Sequence, residues 1–558
     1  MLGGSGRIVM DVAMAVAREI HEEVYAVVSG SSLLADNTPE TFREATNGPD
    51  SSEWWSAMEK EISACEAQDT WVIIPRASLP SGTNILPVKW VYKMKTNEEG
   101  VRIQFKARVT PKGFRQKEGI DYFEVFAHTG KYKTLRVLLA LAAGMDYEIN
   151  QLDVPSAFVR ADLDEVVYMD MPEGFTEPNM VCRLQKSLYG LKQSPRNWNR
   201  LLSSFISGSL GWTATVSDPC LFVKYSRGNR PMFLFVFVDD MQGFYHPLDA
   251  NEWRESRRGL EERFETKDLG DSKWMLGMRI TRDRAAKTIK LDQELYVTKS
   301  LEKYGLDQCK TTRTPAQTNN GAQDDDRDGG GKPADLKMYQ EIVGTLLYAA
   351  ISTRPDIQFA VNSLSRHVQA PLVRHMNGAE RVFRYLAGTR DTGLTFGRAP
   401  RTDSVHLSAY SDADWAADKS DRKSVSGWIA LINGDPVSWA SKKQNSVALS
   451  TCESELYAEC AATQELLWLR GLMKELGLKR ESAILYGDNQ SAVSAAKNGV
   501  RTERTKHIDI KHHFITDAVS RGQISLEWIP TTEQKADILT KALNAPQFDI
   551  LRKMIMTS

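Results

Sequence analysis

Cysteine is scarce in this chain of 558 residues: the six cysteines, at 65, 182, 220, 309, 452 and 460, lie far apart and form no Cys-x-x-Cys pair. That spacing argues against a disulfide framework or a zinc ribbon and fits a reducing compartment. Long apolar runs are missing too. The most apolar early stretch, Ile8 to Gly30, is broken by Asp11, Arg18, Glu19, Glu22 and Glu23, so neither a membrane-spanning helix nor a secretory signal is expected. Net charge is almost nil, with 71 Lys and Arg against 72 Asp and Glu, and no fixed-period repeat occurs. The overall balance therefore gives no signal for a polyanionic partner.

The length and the 42% hydrophobic and 26% charged content describe a globular chain of several domains. Charge is concentrated locally. Between Lys89 and Arg136 twelve Lys and Arg face five acids, the electrostatic footprint of phosphate binding, although a basic run is more often a solvated face. Thr318 to Asp335, rich in Gly, Asp and Asn, reads as a flexible linker (318–335) in which the acids are solvated. A second seam lies at Gly397 to Ser404.

Alternating runs at Trp90–Lys95 and Val101–Thr110, around Asn97 to Gly100, predict a hairpin. Leu135 to Gly144 predicts an apolar helix. Helical spacing marks Tyr339–Ala350, Asp356–Arg366 and Ala379–Leu386, broken at Pro355 and Pro371. After Ser404, strands are expected at Val405–Ser411, Ser426–Leu431, Val437–Ala440 and Ala483–Tyr486, with a long helix from Thr451 to Leu476.

Two acidic sites stand out before the first seam. Asp153, in QLDVPSAF, ends an apolar strand, and Asp239 with Asp240, in FVFVDDM, caps an aromatic and β-branched one. Adjacent carboxylates at the tip of a hydrophobic strand repel each other unless a cation neutralises them. A pair of divalent metals would do so and would support in-line displacement at phosphorus. The plainer reading is a solvated Asp-Asp turn.

These motifs, with WVYKMKTNEEG, FKARVTPKGFRQKEGIDY, LYGLKQSPRNW, RPDIQFAVNSLSR and VFRYLAGTRDTGL, resemble the reverse transcriptase and ribonuclease H portion of copia-type LTR retrotransposon polyproteins, over residues 37 to 556. The resemblance implies an α/β (α+β) chain: a right-hand polymerase with fingers, palm and helical thumb or connection, followed by a ribonuclease H-like α/β domain. Fingers and palm would span 37–270, the primer-gripping hairpin (Trp274 to Met278) and connection 271–402, and the nuclease 403–558, with 1–36 an unassigned leader. Asp153, Asp239 and Asp240 would hold two Mg²⁺ or Mn²⁺ ions. Lys106, Arg108 and Lys112 would meet triphosphate and template backbone, Phe158 would crowd a ribose 2′-hydroxyl, and Gln193 would contact the template. On its own, Phe158 reads as a core aromatic.

Beyond residue 404 the resemblance picks out Asp412, Glu453, Asp488 and Asp537 as the Asp-Glu-Asp-Asp set of ribonuclease H, again binding two metals. Each has a structural alternative: Ser450 and Glu453 also make a capping box, and Asp537, taken as opening a last helix at 535–543, is also a good first-turn acid. His507, His512 or His513 would help position water or release product, and zinc is disfavoured because no cysteine follows Cys460. An integrase reading fails, since the 35-residue gap runs from Glu453 to Asp488, in the wrong order. The implied partners are an RNA template, a DNA primer, RNA–DNA hybrid, deoxynucleoside triphosphates and other polyprotein products. No membrane is implied; the expected location is a cytoplasmic virus-like particle with nuclear access.

The sequence departs from the family at His128-Thr-Gly130, Pro155, Arg160-Ala161, Phe237 and Gln242-Gly243. Glycine and a buried glutamine are expected to weaken the strand leaving the aspartates. A catalytically impaired remnant is the alternative these departures raise, with the nuclease, foldable alone from Asp403, the better preserved half.

Overall fold

The computed structural model describes residues 38–96, 102–318, 331–397, 404–418, 421–479, 483–498 and 509–556. The 1–36 leader, the Asn97 to Gly100 turn, 319–330 of the linker and His507 lie outside them. The described residues divide into two compact units, 38–131 with 148–272 and 132–147 with 273–556. Among them no helix is long and apolar enough to cross a membrane.

The strands of the first unit are β1 (Trp71–Pro75), β2 (Ile85–Leu86), β3 (Val88–Thr96), β4 (Arg102–Pro111), β5 (Glu148–Asp153), β6 (Tyr168–Met169), β7 (Met180–Leu184), β8 (Thr213–Ala214), β9 (Leu221–Tyr225), β10 (Pro231–Phe237), β11 (Asp240–Tyr245) and β12 (Lys267–Asp271). β3 and β4 form the expected antiparallel hairpin. Period-two alternation buries Ala107 and Val109 and leaves Lys106 and Arg108 half-buried. Trp54, on the Ser51–Ala67 helix, fixes the hairpin edge-on, 5.2 Å from Tyr92 and 4.8 Å from Phe105 between ring centres. A six-stranded sheet, in the order β12-β5-β11-β10-β9-β8, carries Asp153 and Asp240 on neighbouring strands, with Asp239 in the turn before β11. Two helices cover it. Trp198, Leu202 and Ile206 recur every fourth residue along Ser194–Gly208, and Trp253, Leu260 and Phe264 share a face of Ala250–Phe264; all join Leu152, Leu234 and Val236 in one core. Each such burial contributes about 1.5–3 kcal/mol.

The second unit contains β13 (Trp274–Met275), β14 (Met278–Asp283), β15 (Thr288–Asp292), β16 (Leu394–Phe396), β17 (Leu407–Asp414), β18 (Val425–Ile432), β19 (Asp435–Lys443), β20 (Ala483–Gly487) and β21 (Ile524–Trp528). The proline-broken helical block forms as Leu336–Ser352, Gln358–Ser365 and Val373–Ala387. The five-stranded order β19-β18-β17-β20-β21, antiparallel through β17 and parallel beyond it, with the Thr451–Glu475 helix packed on β17 and β18, is ribonuclease H-like.

The nuclease segment does not stand apart in this unit. Arg136, buried on the Tyr132–Met145 helix, donates to Val437 O at 2.7 Å and to Ile351 O and Ser352 O at 2.8 Å, and lies 4.0 Å from the Trp439 ring centre. Trp439 Nε1 donates to Ala350 O, and Asn362 Nδ2 to Ser441 O. A fragment from Asp403, expected to fold alone, would lose the Arg136, Ala350 and Asn362 partners of β19.

Candidate active sites

In the first unit Asp240 is the register partner of Asp153, across antiparallel β11 and β5. Asp239 belongs to the two-residue turn joining β10 to β11, and its carbonyl accepts from Val154 N at 3.1 Å. The other turn residue, Val238, has φ of 59°, a left-handed conformation that costs a β-branched residue on the order of 1–3 kcal/mol. A first turn residue with positive φ matches the twist of a tight hairpin. Trp198 Nε1, from the LYGLKQSPRNW motif, secures the turn by donating to Val238 O at 2.7 Å. Gln151 Nε2 donates to Asp240 Oδ1 at 3.2 Å. Desolvation, reinforced by the charges of Asp239 and Asp153, holds the Asp240 carboxyl well above the usual range.

The expected substrate residues fall differently. Phe158 is buried with its ring edge-on to Tyr189 at 4.5 Å, and the Arg108 guanidinium lies 4.3 Å from the Tyr189 ring centre. Arg108, Tyr189 and Phe158 thus touch in series beside the aspartates, whose charges reach Tyr189. Sequence reasoning missed Tyr189, although it sits in a motif already singled out. Gln193 is fully buried: Gln116 Nε2 donates to its Oε1 at 2.9 Å, and its own Nε2 donates to Asp121 O at 2.8 Å. That amide locks two loops together and presents nothing to a template. Lys112 is half-buried at the end of β4, where its N–H donates to Pro87 O.

The second unit holds the tighter acidic cluster. Carboxylate oxygens of Asp412, Asp488 and Asp537 lie within 4.8 Å of one another, the one such group among the described residues. Asp412 is on β17, two residues before its end, and Asp488 directly follows β20. Asp537 is in a short 3₁₀ turn, Lys535–Leu539, and the last α-helix is Ala545–Ile555; a helix opening at Asp537 is therefore corrected. Asp488 Oδ2 accepts from Thr531 Oγ1 at 2.9 Å and its carbonyl from Trp528 Nε1 at 2.9 Å. Burial and the charge of Asp412 push the Asp537 carboxyl up to about 7. An all-oxygen set of this kind suits a hard divalent cation such as Mg²⁺ or Mn²⁺.

Glu453 is not part of this cluster. Its Oε2 accepts from Leu449 N at 2.7 Å while Ser450 Oγ accepts from Glu453 N at 3.1 Å, so it caps the Thr451–Glu475 helix. The glutamate that faces the cluster is Glu455. It is buried and is held well above the usual carboxylate range by burial and then by Asp412 and Asp488. Two residues make about 200° on a helix, so Glu453 and Glu455 cannot share a face. The sequence carried a signal: Glu455 and Glu459 begin the stripe continued by Ala462, Leu466 and Leu469, and carboxylates in a core stripe call for a functional reason. Of the histidines, His512 is buried with Nε2 2.9 Å from Ala495 O, and His513 is exposed on the same helix.

Residues 68–318 match the family described as reverse transcriptase (RNA-dependent DNA polymerase). The retrovirus-related Pol polyprotein from transposon TNT 1-94 of Nicotiana tabacum is 36% identical over 527 residues, 93% of this chain and 39% of that polyprotein. The corresponding polyprotein from transposon RE1 of Arabidopsis thaliana is 36% identical over 521 residues, 93% of this chain and 34% of its own length. The chain belongs to the reverse-transcriptase family of copia-type Pol polyproteins. It spans little more than a third of the length of these relatives. A foamy viral protease-reverse transcriptase solved in complex with double-stranded DNA is 12% identical, with a TM-score of 0.49 over 90% of this chain and 73% of that one. Ribonuclease H1 from the archaeon Halobacterium salinarum is 16% identical over 24% of this chain and 94% of that one, with a TM-score of 0.19. The fold assignment rests on strand order rather than on these scores.

Two of the departures from the family pattern have packing reasons. A Cβ on Gly243 would fall 2.0 Å from the Trp253 ring, and one on Gly130 would fall 2.4 Å from the Phe235 ring. Trp253 fills the space above Gly243, donates from Nε1 to Asn150 Oδ1 at 2.8 Å and stacks on Tyr245. Gln242 is buried, and its Nε2 donates to Ser272 Oγ at 2.6 Å. Its Oε1 is buried without a hydrogen-bond partner among the described residues, so the glutamine is half satisfied and the expected cost to β11 is reduced rather than removed.

Proposed function

We propose that this chain is an RNA-directed DNA polymerase with ribonuclease H activity, copying retrotransposon RNA into DNA and degrading the RNA of the resulting hybrid. The observation that carries the polymerase reading is the pairing of Asp240 with Asp153 across β11 and β5, with Asp239 in the intervening strained turn, inside the segment that matches the reverse-transcriptase family. Asp153, Asp239 and Asp240 would hold one pair of divalent cations, and Asp412, Glu455, Asp488 and Asp537 a second pair. Such cations, when bound, activate the attacking oxygen and neutralise the leaving one.

The protein's own groups do the rest. Trp198 and Gln151 hold the aspartate turn and the Asp240 carboxyl in place. Arg108, 4.3 Å from the Tyr189 ring centre, is the residue this reading assigns to phosphate oxygens, and Phe158, edge-on to Tyr189, is the one it assigns to excluding a 2′-hydroxyl. In the nuclease, the 3₁₀ turn brings Asp537 to the ends of β17 and β20, and Glu455 approaches from the helix. Template, primer, hybrid and deoxynucleoside triphosphates are the substrates this reading assigns.

The reading of an impaired remnant draws on the departures near the aspartates. Trp253 over Gly243 and Phe235 over Gly130 favour a palm repacked around them. Primer extension on poly(rA)/oligo(dT) tests the polymerase, and hydrolysis of the RNA strand in a labelled hybrid tests the nuclease.

A further inference from the structure

The nuclease cluster already contains a cation. Lys541 Nζ lies 2.8 Å from Asp537 Oδ1 and 3.6 Å from Asp412 Oδ2. The residue before it, Thr540, donates its hydroxyl both to Asp412 Oδ2 and, at 3.2 Å, to Asp537 O. Residues 537 to 541 thus supply one acid, the ammonium that neutralises it and its neighbour Asp412, and a hydroxyl that bonds Asp412. The placement is local in origin, because Lys541 N bonds back to Asp537 O at 3.3 Å and sets the lysine one turn beyond the aspartate. Asp412 and Asp537 are both buried, so three carboxylates within 4.8 Å of one another would repel strongly without a counter-charge. The Lys541 side chain is 37% exposed, which leaves its flexible stem a way out to solvent.

We propose that Lys541 is a positioning residue, a built-in counter-ion that keeps Asp412, Asp488 and Asp537 assembled without metal and that a divalent cation must displace on binding. This rests on the reading of the cluster as a metal site. An ammonium and a metal ion cannot both occupy the gap between Asp412 and Asp537, since each needs the same carboxylates and they repel each other. Lys541 therefore weakens metal binding while preventing the empty site from springing apart. It donates no proton and transfers no group.

The test is a Mn²⁺ titration of the full chain, with free ion read by electron paramagnetic resonance, beside thermal melts with and without metal. Asp412→Asn identifies which bound ions belong to the nuclease cluster. Lys541→Met should bind those ions at least about ten-fold tighter than the parent, because a unit positive charge next to the site is gone. Lys541→Arg, which keeps the charge, should stay within about three-fold of the parent. Metal-free Lys541→Met should melt below the parent, and saturating Mn²⁺ should close that gap; a purely structural lysine would leave it open. Unchanged or weaker Mn²⁺ binding by Lys541→Met would overturn the inference, and if hybrid affinity alone fell, Lys541 would be a phosphate contact instead. If Asp412→Asn removed no bound ion, the metal-site reading and this inference would fall together.

Discussion

Glu455, buried on the Thr451–Glu475 helix that packs on β17, feels the charge of Asp412 on that strand, which with burial holds its carboxyl well above the usual carboxylate range. Glu453, two residues earlier, is turned to the helix end instead. The two glutamates should therefore separate in assay. Glu455→Gln should lower hybrid cleavage by about a hundred-fold or more, because a charged ligand is lost from the metal site. Glu453→Gln should cost about 1 kcal/mol of stability as a weakened cap and leave cleavage intact. Cleavage rates and melting temperatures of both variants decide the assignment, and the reverse pattern would restore Glu453 to the site.

Gly243 should be intolerant of any side chain. Gly243→Ala places a methyl group 2.0 Å from the Trp253 ring, and overpacking of this kind costs about 1–3 kcal/mol. Because β11 starts at Asp240, primer extension should fall along with stability. A combined Gly243→Ala, Trp253→Leu chain should recover part of both, which urea denaturation and extension assays can follow.

Glu459 gives the nuclease unit a pH signature. Its carboxyl is 1% exposed, and burial raises its pKa to about 8. The folded state therefore holds a proton that the unfolded state releases near 4.5. Protons bound by the folded form make stability fall as pH rises from about 4.5 through 8. Glu459→Gln should flatten that part of the profile and be the more stable form at pH 8. Melting curves between pH 5 and 9 in the absence of metal read this directly, and a parallel slope in both proteins would contradict it.

Most of the secondary structure was legible because it follows from local periodicity. The 132–145 helix, the 88–111 hairpin and the strands at 407, 425, 435 and 483 fall where apolar spacing puts them. The aspartates of the first unit were legible as strand ends. What local pattern could not supply was direction. Glu453 and Glu455 are equally good helix residues; the stripe Glu455 shares with Glu459, Ala462 and Leu466 marks it as inward, but that it meets β17 follows only from packing. The family resemblance points Gln193 at a template, whereas two loop partners, Gln116 and Asp121, draw it inward. Gly243 looked like a defect because Trp253, ten residues away in sequence, fills the space its missing side chain leaves.

Phe158 offers a test of substrate choice. Its ring lies edge-on to Tyr189, beside the aspartates. Phe158→Ala should raise incorporation of ribonucleotides relative to deoxynucleotides by more than about ten-fold, since the space for a 2′-hydroxyl opens. Equal discrimination by an active variant would leave Phe158 as a core aromatic only.

The central claim is DNA synthesis at Asp153, Asp239 and Asp240. Extension of oligo(dT) on poly(rA) with dTTP and Mg²⁺ or Mn²⁺, comparing the parent chain with Asp239→Asn, tests it most directly. The parent should extend the primer, Asp239→Asn should not, and both should cleave the hybrid undiminished. A folded parent chain that binds the primer–template and adds no nucleotide, or an Asp239→Asn chain that extends as well as the parent, would contradict it.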